Sequence, residues 1–206
     1  LKSAKHPKRS PSVPATSRLN AFLHAASERF KRSDTKIAST ISDALATVHL
    51  VPPALPPATT PACAPLSEIL SGAEDELLVL LAACAQDLHW RQAGFGRLPD
   101  EAQQKLAVAE LIGPNALFQM PDIRIGLLIQ NEGFHYPRHW HAAEELYLIL
   151  KGTALWAVED ADPAPCEPGR FVHHQSLQPH QMMTGPDPMI ALWGWVGDIA
   201  GSSYSV

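Results

Sequence analysis

The sequence predicts an α+β chain that is mainly β, with a helical N-terminal region leading into a small antiparallel barrel. Three observations point there. Apolar residues recur at helical spacing through the first half of the chain. From Asp122 the pattern changes to short apolar runs divided by turn residues. The densest cluster of chemistry-bearing side chains, His139, His141 and Glu145, opens one of those runs.

At 206 residues and 46% hydrophobic content, the chain has the length of one domain with an extension and enough apolar mass for a real core. Its longest apolar run is broken by Glu76 and Asp87 and is too short and too polar to span a membrane. No charged segment followed by an apolar stretch and a small-residue cleavage site is visible, which predicts a soluble, cytoplasmic protein. Cys63, Cys84 and Cys166 are odd in number and far apart, which suits a reducing compartment and argues against a disulfide framework or a cysteine metal site.

Charge is concentrated at one end. Residues 1–36 hold nine of the sixteen Lys and Arg against Glu28 and Asp34, a net of +7, which leaves about −12 for the remainder. Residues 1–16, rich in Lys, Ser and Pro, read as a disordered basic arm. The arm lacks interleaved aromatics, so neither a nucleic-acid nor a membrane partner is expected.

The first stripe, Leu19, Phe22, Leu23, Ala26 and Phe30, predicts a helix, and after a break near Ser33 it resumes with Ile37, Ile41, Leu45 and Val48. Six prolines between 51 and 65 predict a stiff connector. Ser71-Gly-Ala-Glu74 has the form of a capping box before a helix carrying Leu77, Leu80, Leu81, Cys84 and Leu88, which ends near Gly94 or Gly96. A last helix is expected over 100–112, stopping at Gly113-Pro114. The helical region thus runs over 17–115, and its role is to cover one side of a sheet or to build a homodimer contact.

The barrel is assigned to 116–206. Strands are expected over 123–130, 145–152, 153–160 and 188–197, with a hairpin about Lys151-Gly152 and a Pro-containing loop over 160–169. Strand parity puts Glu145, Tyr147 and Ile149 on one face, so Tyr147 should look toward whatever Glu145 binds. In an extended segment His139 and His141 also share a face. Two imidazoles and a carboxylate suit one divalent transition metal ion: zinc, iron, manganese, cobalt or nickel.

The segment Gly133–Gly152 reads Gly-x5-His-x-His-x3-Glu-x6-Gly and resembles the first cupin motif, with Gly133, His139, His141, Glu145 and Gly152 in the expected places. The resemblance covers roughly residues 121–198 and implies a cupin double-stranded β-helix barrel. Gly169–His180 resembles the second cupin motif in spacing and in its closing Pro-His, although Arg170 stands where that motif has an acid. It implies His180 as fourth ligand, with His173 and His174 as substitutes.

Such an ion can polarise a carboxylate or carbonyl, generate hydroxide, or activate dioxygen, and the ligands alone do not choose. The flanking residues say more. Tyr136 and Tyr147 bracket the motif, and a phenol beside a cation can serve as a base. Trp156, Trp193 and Trp195 lie on expected strands, where their faces pack in the core or meet a substrate cation.

Tyr136-Pro-Arg-His139-Trp-His141, Glu145-Leu-Tyr147, the late Pro-His180 and the helical N-terminal half together resemble the cupin-type dimethylsulfoniopropionate (DMSP) lyases of the DddQ and DddL type. That resemblance implies His139, His141, Glu145 and His180 as ligands and Tyr136 or Tyr147 as the base. Its substrate is a small zwitterion, split by β-elimination into dimethyl sulfide and acrylate. Two other readings use the same ligands: a cupin dioxygenase of a small metabolite, and a non-enzymatic metal-binding sensor module.

Overall fold

A computed structural model describes residues 14–48 and 54–206, so most of the expected basic arm and the start of the proline connector lie outside the described residues. The first stripes form α1 (Ala15–Phe30) and α2 (Lys36–Thr47), the second capped by the Thr35 hydroxyl accepting from the Ala38 amide. Helix α1 begins at Ala15, inside the stretch assigned to the arm. The Ser27 hydroxyl, buried between the two helices, donates to the Ser42 carbonyl at 2.9 Å.

A short α3 (Leu66–Leu70) precedes α4 (Glu76–Cys84). The expected capping box is replaced by Asp75, whose carboxylate accepts from the amides of Leu77 and Leu78. Ser71 instead closes α3. The chain then turns into a short strand β1 (Trp90–Arg91), well before the glycines expected to end the helix, and into a one-turn α5 (Ala102–Lys105).

The helix expected over 100–112 is largely a strand. Residues Leu106–Gly113 form β2, buried on both faces, so the sheets begin ahead of the barrel boundary placed at 116. Then come β3 (Phe118–Gln119), β4 (Ile123–Gln130), β5 (His135–His139), β6 (Ala143–Lys151), β7 (Ala154–Val158), β8 (Ala164–Cys166), β9 (Phe171–His174), β10 (His180–Thr184) and β11 (Met189–Gly197).

The strands make two sheets. One is ordered β1-β2-β4-β11-β6-β9 with β3 added in parallel to β2; the other is β5-β10-β7-β8. Strands β6 and β7 therefore do not form the expected hairpin, because they lie in different sheets. Gly152 makes that crossing possible. It adopts φ 75°, and a Cβ there would run into the Pro188 carbonyl oxygen.

The large sheet has two apolar faces. Leu146, Leu148, Leu150, Ile125, Leu127, Ile190 and Leu192 pack with the helices in one core. Tyr147, Ile149, Trp193, Trp195, Leu128 and Met189 face the barrel interior in a second core with Tyr136, Trp156 and Met182 of the other sheet. This is a mainly β cupin barrel with a helical N-terminal cover.

Candidate active site

Strand register assembles the site. Glu145 on β6 lies opposite His174 on β9 and opposite Trp195 on β11, and Tyr147 lies opposite Trp193. In the other sheet His139 on β5 lies opposite His180 on β10. His141 follows β5 in the turn that carries the chain into β6. Both sheets thus deliver their polar residues to one end of the barrel interior.

The imidazoles are oriented by backbone. Carbonyl oxygens can only accept, so Nδ1–H of His139 donates to Pro137 at 2.8 Å, that of His141 to Ala143 at 3.0 Å, and that of His180 to Gln178 at 3.0 Å. The Nε2 atoms of His139 and His180 are left with their lone pairs toward the interior, the tautomer that a metal-ligating histidine needs, while Nε2 of His141 is paired with Glu145 Oε2. Nε2 of His141 and Nε2 of His180 each lie 3.2 Å from Glu145 Oε2. The His180 contact lacks the alignment of a hydrogen bond, so this buried nitrogen has no partner. Ligand atoms of His139, His141 and His180 fall within 4.8 Å of one another, as do those of Glu145, His174 and His180. A convergent, buried set of three nitrogens and a carboxylate fits a divalent ion.

His174 enters this cluster and His173 does not. The His174 ring stacks on His180 with centroids 3.8 Å apart, and its Nε2 accepts the Trp156 indole N–H at 3.1 Å. His173 points away and meets Glu144 at 2.7 Å. Trp156 is thereby engaged in holding His174 and is not among the residues lining the site cavity.

That cavity, about 40 Å³, is lined by Arg91, Gly94, Phe95, Val108, Leu128, Tyr136, Glu145, Tyr147, Trp193, Trp195 and Tyr204. Trp195 donates its indole N–H to Glu145 Oε1 at 2.6 Å. Tyr204 reaches in from the C-terminal segment, and its hydroxyl pairs with that of Tyr136 at 2.8 Å. Arg91, Phe95 and Tyr204 were missed by the sequence reading. The one available signal was that Tyr204 is the third of only three tyrosines. A larger hollow of about 580 Å³ beside α3 and α4 is lined, among the described residues, by no histidine or carboxylate.

Burial shapes the protonation states. Desolvation, reinforced by His180, pushes His139 well below the usual histidine range. Desolvation first and His180 second take His174 down to about 3. Burial works to raise the Glu145 carboxyl, but His141 and His180 outweigh it and hold Glu145 well below the usual carboxylate range. Desolvation, and for Tyr147 the neighbouring Glu145 charge, raise the phenols of Tyr136 and Tyr147 above their ordinary value. The protein alone therefore presents neutral imidazoles at His139 and His174, a carboxylate at Glu145 and protonated phenols at Tyr136 and Tyr147.

The family model for dimethylsulfoniopropionate lyase matches residues 13–191. Over 111 residues the chain is 35% identical to dimethylsulfoniopropionate lyase DddQ of Ruegeria pomeroyi, a match that covers 53% of this chain and 55% of that protein. The chain resembles the crystal structure of DddQ from Ruegeria pomeroyi with a TM-score of 0.72 at 25% identity, covering 95% of this chain and 97% of that one. Crystal structures of the DMSP lyases RdDddP and RnDddQII supply another similar chain, with a TM-score of 0.74, 25% identity and coverage of 94% and 99%. No helix among the described residues is long and apolar enough to cross a membrane. The matched span, the cupin barrel and its convergent buried histidines agree: this chain belongs to the dimethylsulfoniopropionate lyase family.

Proposed function

We propose that this chain is a carbon–sulfur lyase that cleaves dimethylsulfoniopropionate to dimethyl sulfide and acrylate by β-elimination. The observation that carries the reading is the convergence of His139, His141 and His180, two of them 3.2 Å from Glu145, with Tyr136 stacked on His139 and Tyr147 lining the same cavity as Glu145. His139, His141, His180 and Glu145 would hold one divalent ion. Bound there, it would supply Lewis acidity toward a substrate carboxylate and positive charge that favours a phenolate nearby.

The chain's own residues do the rest. The indole faces of Trp193 and Trp195 border the cavity and offer the sulfonium an electron-rich surface. Trp195 also fixes Glu145 through its N–H, so that carboxylate cannot swing toward the substrate cation. Tyr147 or Tyr136 removes the Cα proton. The electrons of that C–H bond become the second Cα–Cβ bond, and the Cβ–S bond breaks with its pair going to sulfur. Neutral dimethyl sulfide leaves and acrylate keeps the carboxylate. Enclosure of the site excludes water, which would compete for the proton and screen the charges. Three free, buried cysteines suit a reducing, cytoplasmic setting.

The test is headspace gas chromatography on purified protein given DMSP in oxygen-free buffer. Equal amounts of dimethyl sulfide and acrylate are expected. Replacing the base tyrosine by Phe should lower kcat about a hundredfold to ten-thousandfold, the usual span of a general base. Full activity in Tyr136→Phe, Tyr147→Phe and the double variant would remove tyrosine from the mechanism. A requirement for dioxygen would remove the lyase.

A further inference from the structure

Of the eleven residues lining the site cavity, only Arg91 and Phe95 reach solvent; Phe95 is 36% exposed and the others are buried. These two side chains form the solvent-facing rim of the cavity. The cavity behind them, about 40 Å³, has room for only about one to four waters at the usual volumes of about 10 to 30 Å³ each. A three-carbon acid bearing a dimethylated sulfur does not fit while the wall is closed.

Arg91 is fixed in place. It binds Glu110 Oε2 at 2.7 Å and the Gln92 carbonyl at 3.1 Å, and Glu110 is held in turn by Arg124 at 2.6 Å. Phe95 sits on a strained turn. Its backbone sits at φ 53° and ψ 30°, a left-handed conformation unfavourable for a residue with a Cβ, between Gly94 at φ 69° and Gly96 at φ 77°. Its ring makes only edge and face contacts. The guanidinium groups of Arg91 and Arg124 lie 5.4 and 5.3 Å from its centroid, and the rings of Trp195 and Tyr204 lie 5.7 and 6.0 Å away. Gly201 allows the ring to seat, since a Cβ there would come within 2.7 Å of Phe95 Cδ1.

We propose that Phe95 is the door of this cavity, swinging on Gly94 and Gly96, and that it sets the size of the alkyl groups a substrate can carry on sulfur. The choice of substrate class rests on the lyase reading; the door itself does not. Closed, Phe95 completes the aromatic wall with Trp195 and Tyr204. Arg91 and Arg124 share the single carboxylate of Glu110, so the three together leave one net positive charge beside this opening, in a chain whose net charge is −5, and that charge favours a carboxylate.

The experiment compares the full chain with Phe95→Ala and Phe95→Leu. All three tyrosines of the sequence line this cavity, so acetylation of any tyrosine by N-acetylimidazole reports entry, with the exposed Lys31 as internal reference. Tyrosine acetylation relative to Lys31 should accelerate several-fold in Phe95→Ala and less in Phe95→Leu. The ratio of kcat/KM for the diethylsulfonio analogue over DMSP should rise about tenfold in Phe95→Ala, the scale on which a pocket wall discriminates a methylene. Phe95→Leu keeps an apolar side chain against Trp195 and Tyr204, and it carries the same prediction if the alanine variant does not fold. Acetylation at the wild-type rate in the variants overturns the door, whether or not any sulfonium is turned over. Faster acetylation with an unchanged ratio overturns the size filter. Faster acetylation with no turnover of either compound by any of the proteins supports the door and removes the lyase reading.

Discussion

Single side chains in this site are defined by what their second polar atom does. Each of the three imidazoles at its centre spends Nδ1–H on a carbonyl two residues away, and that local bond turns Nε2 inward. Burial then favours the neutral ring of His139. This gives stability a definite pH dependence in the metal-free protein. His174 is depressed from 6.5 to about 3 and His139 well below 6.5, so the unfolded chain binds protons that the fold refuses. Stability is complete above about pH 6.5 and falls as pH drops from there toward about 3. A series of melting temperatures should decline on acidification over that window, and His174→Gln should flatten the decline. A melting temperature that rises on acidification would contradict it. The cluster of His139, His141 and Glu145 was legible because the three lie within seven residues on strand-compatible spacing. Tyr204 was not, because its partner Tyr136 is 68 residues away and only the folded C-terminal segment brings them together.

Elements position these residues through register and through one change of sheet. Glu145, His174 and Trp195 meet because β9, β6 and β11 are neighbours in phase, and His139 meets His180 because β5 and β10 are. The crossing from β6 to β7 at Gly152 lets the two sheets close over the interior. Gly152→Ala would combine a left-handed backbone with a collision against Pro188, so it should destabilise the fold by about 2–3 kcal/mol, at the severe end for a point change. Chemical denaturation checks this, and a loss below about 0.5 kcal/mol would place the crossing elsewhere. The turn at Gly152 is legible in the sequence, but a glycine at positive φ serves a hairpin and a crossing alike, and pairing is a long-range property. The helical pattern over β2 has a different cause. Leu-Ala-Val-Ala-Glu-Leu-Ile-Gly is rich in helix formers and is buried on both faces, so the alternation that marks a strand is missing. Tertiary pairing with β4 overrides the local preference.

At the scale of the whole molecule, two cores share one sheet. The helical cover buries the outer apolar face of the large sheet and leaves the inner face for the aromatic residues and donors. This division was readable from the change of period near Asp122, and the role of the helices as a cover follows from strands too apolar to face water. The wall of the site was not readable, because Arg91 and Phe95 come from the connection between that cover and the barrel. The central claim is that His139, His141, His180 and Glu145 hold one divalent ion on which cleavage depends. It is tested most directly by stripping the protein with a chelator, restoring zinc or another divalent ion in steps, and measuring bound metal and dimethyl sulfide release on the same samples. The account predicts release that rises in proportion to occupancy and levels off at one ion per chain, with both bound metal and release lost in His180→Ala. Undiminished release from metal-free protein would contradict it.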